Sequence, residues 1–265
     1  MALDVAVLLS IGRHPTSGRS RRADLDSRAL ELALRLGPGV RLHAIHAGDP
    51  QEPALADYLG MGLATLTVLK QPCDGDVLPA LASHLAALKP GLILTGNNAE
   101  IGEGSGMLPY LLAREMKAAL LPAIAEAALS GDGVAALQAL PRGRRRRLSA
   151  ELPALLTIDR AAPAARQSAF ARARAGKLVV LDVPAVAGPK SDVREVPARP
   201  KPKRLKLATG GSAAERLRAA TEMQAGRGQL LLNPAPEEAA RAIFDYLVKE
   251  GILSPATLVA PDARG

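Results

Sequence analysis

The sequence predicts an α/β protein built on a doubly wound, mostly parallel sheet, with added antiparallel strands and a C-terminal extension. Three observations carry that expectation. Apolar runs and Ala/Leu-rich amphipathic segments alternate regularly over the first 115 residues, the pattern of repeated βαβ units. The runs are apolar throughout rather than at every second residue, as for strands covered on both faces. The regular alternation then stops after Leu120, where short apolar runs follow one another across tight turns.

The elements follow in order. Val5 to Leu9 is the first buried strand. Asp24 to Leu36 is a helix, with Asp24 or Asp26 placed to cap its start and Gly37-Pro38-Gly39 placed to end it. Val40 to Ala47 is a second strand, closed by Gly48-Asp49-Pro50. A helix runs to about Gly60, and Leu66 to Leu69 is the next strand. Asp76 to Leu88 is a third helix, stopped by Lys89-Pro90-Gly91. Leu92 to Thr95 is a fourth strand, followed by a Gly-rich loop from Gly96 to Gly106 and a helix through Glu115. Ile124–Leu129 and Val134–Leu140, joined by Gly131-Asp132-Gly133, read as strand, turn, strand. Pro141 to Arg147 reads as another turn, and Leu155 to Ile158 as a further strand. Ala161 to Lys177 is an Ala/Arg-rich loop with some helical character. Val179 to Val186 is a short apolar stretch. The alternation of Pro with Lys and Arg between Pro197 and Leu207 predicts an extended linker. A last helix is expected from Pro236 to Glu250, with Ala239, Ala240, Ile243, Phe244 and Leu247 on one side. The expected division is a domain over 1–190, a basic arm over 191–235, and a C-terminal helix and tail over 236–265.

Composition narrows the function. The 265 residues are 48% hydrophobic, enough for a full core without covalent staples. Aromatic residues are 2%, with no Trp, which disfavours the stacking platforms of single-strand nucleic-acid binders. Cys73 is the single cysteine, so an intramolecular disulfide and a Cys-rich metal site are both excluded. The four histidines, His14, His43, His46 and His84, show no metal-ligand spacing. The start carries Asp4 where a signal peptide would be basic, and no apolar run approaches a membrane span. The expected location is therefore cytoplasmic. Lys and Arg exceed Asp and Glu by 34 to 26, a net charge of +8 that fits nucleic acid, an anionic surface or an acidic protein partner.

The Gly-rich loop is the most informative stretch. It follows a buried strand and precedes a helix, and ligands of open α/β sheets bind outside the carboxyl ends of the strands. Gly104, Ser105 and Gly106 are placed to meet a phosphate, although the spacing is neither a Walker loop nor a dinucleotide fingerprint. Glu100 and Glu103 could form a carboxylate pair, or remain solvated or cap a helix. Ser10 with His14 lacks a third member, and no set of nucleophile, base and orienting group is readable. Arg142 and Arg144 to Arg147 could bind an acidic partner, or could guard a charged edge strand next to a turn at Gly143. Arg166, Arg172, Arg174 and Lys177 surround a lone Phe170, the composition of a docking anchor steered by charge. The alternative is that Phe170 tucks into the core.

The order of segments resembles the beta subunit of electron-transfer flavoproteins from Val5 to about Leu253. Ala29-Leu30-Glu31-Leu32-Ala33-Leu34-Arg35-Leu36 is similar to that family's early helix, and Gly60-Met61-Gly62 to its Ala-Met-Gly segment. Leu92-Ile93-Leu94-Thr95-Gly96, followed by Asn98-Ala99 and Gly102 to Gly106, resembles its strand and nucleotide loop. Leu152-Pro153-Ala154-Leu155-Leu156-Thr157 resembles its Leu-Pro-Ala-Val-Val-Thr strand. The chain departs from the pattern at Ala23-Asp24, where the family has Asn-Pro, at Ser10, where it has Lys or Arg, and at Ile101, Glu103 and Gly106 in the loop.

The resemblance implies a Rossmann-like fold of the adenine nucleotide alpha hydrolase-like kind. It implies no catalytic residues of its own and a heterodimer with an alpha subunit that holds most of the FAD. Electrons would come from a partner dehydrogenase and leave to a membrane quinone oxidoreductase. It also implies an AMP bordered by Leu8, Leu9 and Ser10, by Ala47 and Gly48, and by Asn98 with Gly102, Glu103, Gly104, Ser105 and Gly106. The loop over 161–177 would meet the dehydrogenase. Two other classes stay open at this point: a stand-alone adenine-nucleotide-binding α/β protein, and a nucleic-acid binder using the Arg run, which the lack of aromatics disfavours.

Overall fold

A computed structural model describes residues 2–102, 104–188, 212–214, 217, 231–249, 252 and 253. The chain divides into two units, Met1–Arg194 and Glu195–Gly265. The first is a three-layer α/β domain.

Its strands are β1 (Leu3–Leu8), β2 (Ile11–Arg13), β3 (Ser20–Arg22), β4 (Val40–Gly48), β5 (Thr65–Lys70), β6 (Gly75–Asp76), β7 (Leu92–Gly96), β8 (Ala119–Ser130), β9 (Gly133–Ala139), β10 (Arg145–Glu151), β11 (Ala154–Ile158), β12 (Lys177–Asp182) and β13 (Val186–Ala187). Its helices are α1 (Asp24–Leu34), α2 (Leu55–Leu59), α3 (Val77–Leu88), α4 (Leu108–Glu115) and α5 (Phe170–Ala175). Nine strands form the main sheet in the order β10-β9-β8-β11-β7-β1-β4-β5-β12. From β8 to β12 every neighbouring pair is parallel, and β9 and β10 extend the sheet antiparallel. The expected fold class is the one observed.

The core explains the alternation. Val5, Ala6, Val7 and Leu8 are all buried, so β1 is covered on both faces. Val5 and Val7 point to the layer of Leu30 and Ala33 from α1 and Leu55 and Tyr58 from α2. Ala6 and Leu8 point to the opposite layer, where Leu81 and Leu85 of α3 meet Leu112 of α4. At the start of α3 the Asp76 carboxylate accepts from Leu78 N (2.9 Å), and Lys89 ends the helix in the left-handed region at φ 51°.

Four local expectations are corrected. Neither Asp24 nor Asp26 caps α1; the residue before the helix is Ala23, with no side-chain cap, and Asp26 is buried. The turn after β9 ends at Arg144, and Arg145 already pairs with Ala139 as the first residue of β10. The chain between β1 and α1 contains the small hairpin of β2 and β3. The stretch after Gly176 is a full parallel edge strand, β12, paired along β5.

In the second unit the helix α6 (Pro236–Lys249) matches the expected span. None of its residues is buried, and Ile243 and Tyr246 are exposed. The basic arm expected over 191–235 lies almost wholly outside the described residues. No helix among the described residues is long and apolar enough to cross a membrane.

Candidate functional site at the strand tips

The strand order reverses direction at β1. The chain passes from β1 to β4 and β5 on one side, then returns to β7 on the other. The crevice outside the carboxyl ends of β1 and β7 is thus the topological switch point, where this architecture holds its ligands.

At its floor lies Asp26, in the first turn of α1 and 4% exposed. Its Oδ2 accepts from Ser10 N (2.7 Å) and Ser10 Oγ (2.5 Å), and its Oδ1 accepts from Gly96 N (2.7 Å). One carboxyl group therefore ties the turn after β1 to the end of β7. Burial pushes its pKa up, and the three donors oppose that shift. Tyr58, fully buried on α2, donates to Ser10 O (2.7 Å) and accepts from Ala23 N (3.0 Å). His46 on β4, 5% exposed, places Nδ1 2.8 Å from Leu9 O, which requires the proton on Nδ1.

Beyond β7 lies an open cleft of about 360 Å³, bordered by Asn97, Asn98, Gly104, Ser105, Gly106, Tyr110, Pro122, Ala123 and Thr157. Thr157 Oγ1 accepts from Ala123 N (3.0 Å) and donates to Asn97 Oδ1. Ala123 sits in the left-handed region at φ 56°, next to a register shift between β8 and β9. Gly106 has φ +71°, and a Cβ there would stand 3.0 Å from Asn97 O. Tight turn and side-chain bridge together hold the loop over the ends of β7 and β11.

The residues expected at the nucleotide divide between these places. Asn98, Gly104, Ser105 and Gly106 border the cleft. Leu8 and Leu9 are buried beneath the strand tips. Ser10 is engaged by Asp26. Ala47 and Gly48 lie at the end of β4, away from the cleft, and Gly102 is exposed in the loop. Glu103 lies outside the described residues. Glu100 is engaged at the start of α1. Its Oε1 accepts from Asp24 N at the start of α1 and its Oε2 from Arg21 Nη2, both at 2.8 Å. Ser10 and His14 form no pair, since His14 Nδ1 accepts from Ser17 N within its own turn (3.2 Å). Cys73 is a free, exposed thiol. Among the described residues no cluster of three or more His, Cys, Asp or Glu could hold a metal ion.

The Arg-rich loop has a pinned base and an exposed tip. Ala162 O accepts from Arg28 Nη1 (2.5 Å), and Arg166 O accepts from Arg22 Nη1 (3.1 Å). Arg166 itself is bound to Glu31 of α1. Ala169 N donates to Gly60 O (3.0 Å), where a Cβ on Gly60 would collide with Ser168 Oγ at 1.9 Å. Past that point α5 carries Phe170 at 77% exposure, with the Arg174 guanidinium 5.9 Å from its ring centre. Phe170 is thus outside the core, and Arg172, Arg174 and Lys177 are exposed around it.

Asp26, Tyr58, His46, Asn97 and Thr157 were not singled out from the sequence as site residues. The available signal was weak: polar side chains at or just beyond the ends of apolar runs.

Fold and site define a doubly wound α/β subunit with side chains packed into its switch point and one prominent apolar finger. Residues 16–186 match the model of the family described as "Electron transfer flavoprotein domain". The chain is also 48% identical over 257 residues to the "Electron transfer flavoprotein subunit beta" of Chromohalobacter salexigens, covering 95% of this chain and 96% of that one. The chain belongs to the electron transfer flavoprotein family, as a beta-subunit member.

Proposed function

We propose that the chain is the beta subunit of a heterodimeric electron-transfer flavoprotein. In this reading it works in the cytoplasm beside an alpha subunit that holds most of the FAD. The pair accepts electrons from a partner dehydrogenase and delivers them to a membrane quinone oxidoreductase. The chain acts as a carrier subunit without catalytic residues of its own. The flavin supplies the redox chemistry when bound, and the beta chain supplies a rigid wall and a docking surface.

The observation that carries the reading is the match to a named beta subunit along almost the whole chain. Phe170 adds support: a large apolar side chain is held out of the core on an anchored loop, with Arg172, Arg174 and Lys177 beside it, the chemistry of a steered protein contact.

The test is co-expression with the neighbouring alpha-like chain, followed by a visible spectrum and quantification of released flavin. A yellow heterodimer with one FAD is expected. A stable but colourless pair would remove the carrier reading.

A further inference from the structure

The adenylate implied by the family does not fit the switch point of this chain. A nucleotide gains hold in such a crevice through main-chain groups left free at the strand tips. Here the chain's own side chains use them. Ser10 N and Gly96 N both donate to Asp26, Leu9 O accepts from His46 Nδ1, and Ser10 O accepts from Tyr58 Oη. The space directly beside Gly96 is also taken. A single methyl on Gly96 would stand 2.6 Å from Asp26 Oδ1 and 2.8 Å from Leu25 Cβ. A phosphate approaching these donors would have to displace the buried Asp26 carboxyl group that already holds them. The neighbouring cleft offers no compensation, because none of its lining residues is a Lys, Arg or His. Its Asn97 and Thr157 are already bonded to each other.

We propose that this beta chain carries no resident adenylate, and that the Asp26 carboxyl group, tying the turn after β1 to the end of β7, occupies the place where other members of the fold class would hold a phosphate. The inference rests on the carrier reading only for the choice of preparation. In the purified heterodimer, nucleotides released by denaturation are quantified by mass, with AMP scored per beta chain and FAD scored separately. FAD content tests the carrier reading, and AMP content tests this one, so the two fail independently. Expected is no AMP above trace. One AMP per beta chain overturns the proposal.

A second measurement probes the carboxyl group itself. Thermal unfolding of the heterodimer is followed with and without AMP or inorganic phosphate, for the unmodified pair and for Asp26→Ala. The unmodified pair should not respond to either compound. Asp26→Ala should melt lower and recover part of the loss with phosphate or AMP, since the freed Ser10 and Gly96 N–H groups donate to an external anion. A rise in Tm of the unmodified pair with AMP overturns the proposal, as does an Asp26→Ala pair of undiminished Tm. If Asp26→Ala does not fold, Asp26→Asn takes its place. The Asn side chain keeps the volume but turns an amide donor toward one of the main-chain donors, so the same loss is expected without recovery by phosphate or AMP, and an undiminished Tm overturns the proposal.

Discussion

Arg166 meets Glu31 with three donors: its main-chain N at 3.2 Å, Nε at 2.7 Å and Nη2 at 3.3 Å. Arg35, one turn along α1, adds a fourth contact at 2.7 Å. Glu31 is 3% exposed, and burial alone would push its pKa up. The bonds from Arg166 and Arg35 outweigh burial and lower it from 4.5 to about 2. A shift of that size corresponds to about 3 kcal/mol of stability. Because the folded-state pKa is the lower one, the contribution is complete above pH 4.5 and is lost as pH falls toward 2. Glu31→Gln should cost about 2–3 kcal/mol at neutral pH and flatten stability across that acid window. Denaturant titrations at pH 7 and pH 3 measure both effects. The same variant frees the base of the Arg-rich loop, so limited trypsin digestion should cut at Arg166 or Arg172 faster than in the unmodified chain.

Phe170 separates docking from stability. At 77% exposure it contributes little to the core, so Phe170→Ala should leave unfolding within about 0.5 kcal/mol of the unmodified chain. As a docking anchor it should matter far more, and the rate of flavin reduction by the partner dehydrogenase should fall about tenfold or more. Stopped-flow reduction beside a thermal melt distinguishes the two. Unchanged reduction kinetics would remove Phe170 from the docking surface.

Residues with a simple periodic role were legible before the structure. Val5 to Leu9 reads as a buried strand because both faces of β1 are covered, and Lys89-Pro90-Gly91 reads as a stop because α3 ends there in the left-handed region. Asp26 was misread for a physical reason. An acid in the first turn of a helix favours that position through the exposed N–H groups, whatever else its side chain reaches. Only tertiary packing reveals that Asp26 turns inward to donors 16 and 70 residues away. The site was less legible than the fold because its bonds join residues distant in sequence, such as Asn97 with Thr157 and Tyr58 with Ser10. β10 is hard to read as a strand because its Arg run fits a turn through Arg147 as well as a charged edge strand, and only the pairing of Arg145 to Glu151 with β9 decides for the strand.

That edge yields a third expectation. β10 ends the sheet with Arg145, Arg146 and Arg147 exposed, opposite Ala139, Gln138 and Leu137 of β9. Charged side chains on an open edge discourage pairing with another molecule. Replacing Arg145 and Arg147, which share one face of the strand, with Val should leave the fold intact and produce concentration-dependent self-association. Sedimentation velocity across a concentration series reads this directly. A variant that sediments as the unmodified protein does would show that the Arg run has another purpose.

The last expectation concerns pH. His46 lies beneath Gly48, whose Cβ, if added, would stand 2.6 Å from His46 Nε2. Burial is the main cause that pushes its pKa below 6.5, and the bond to Leu9 O with the charges of Glu52 and Asp49 opposes that shift. Charging the ring is therefore easier in the unfolded chain. Stability from the neutral ring is complete above pH 6.5 and is lost as pH falls from there through the lower folded-state value. His84, also lowered by burial, acts in the same direction. His46→Gln keeps an N–H donor for Leu9 O, should cost about 1–2 kcal/mol through imperfect packing, and should remove one share of the decline below pH 6.5. Denaturation midpoints between pH 8 and pH 5 measure that share as the difference in slope between the two proteins. Parallel slopes would mean that the His46 site is wet enough to accept the charge.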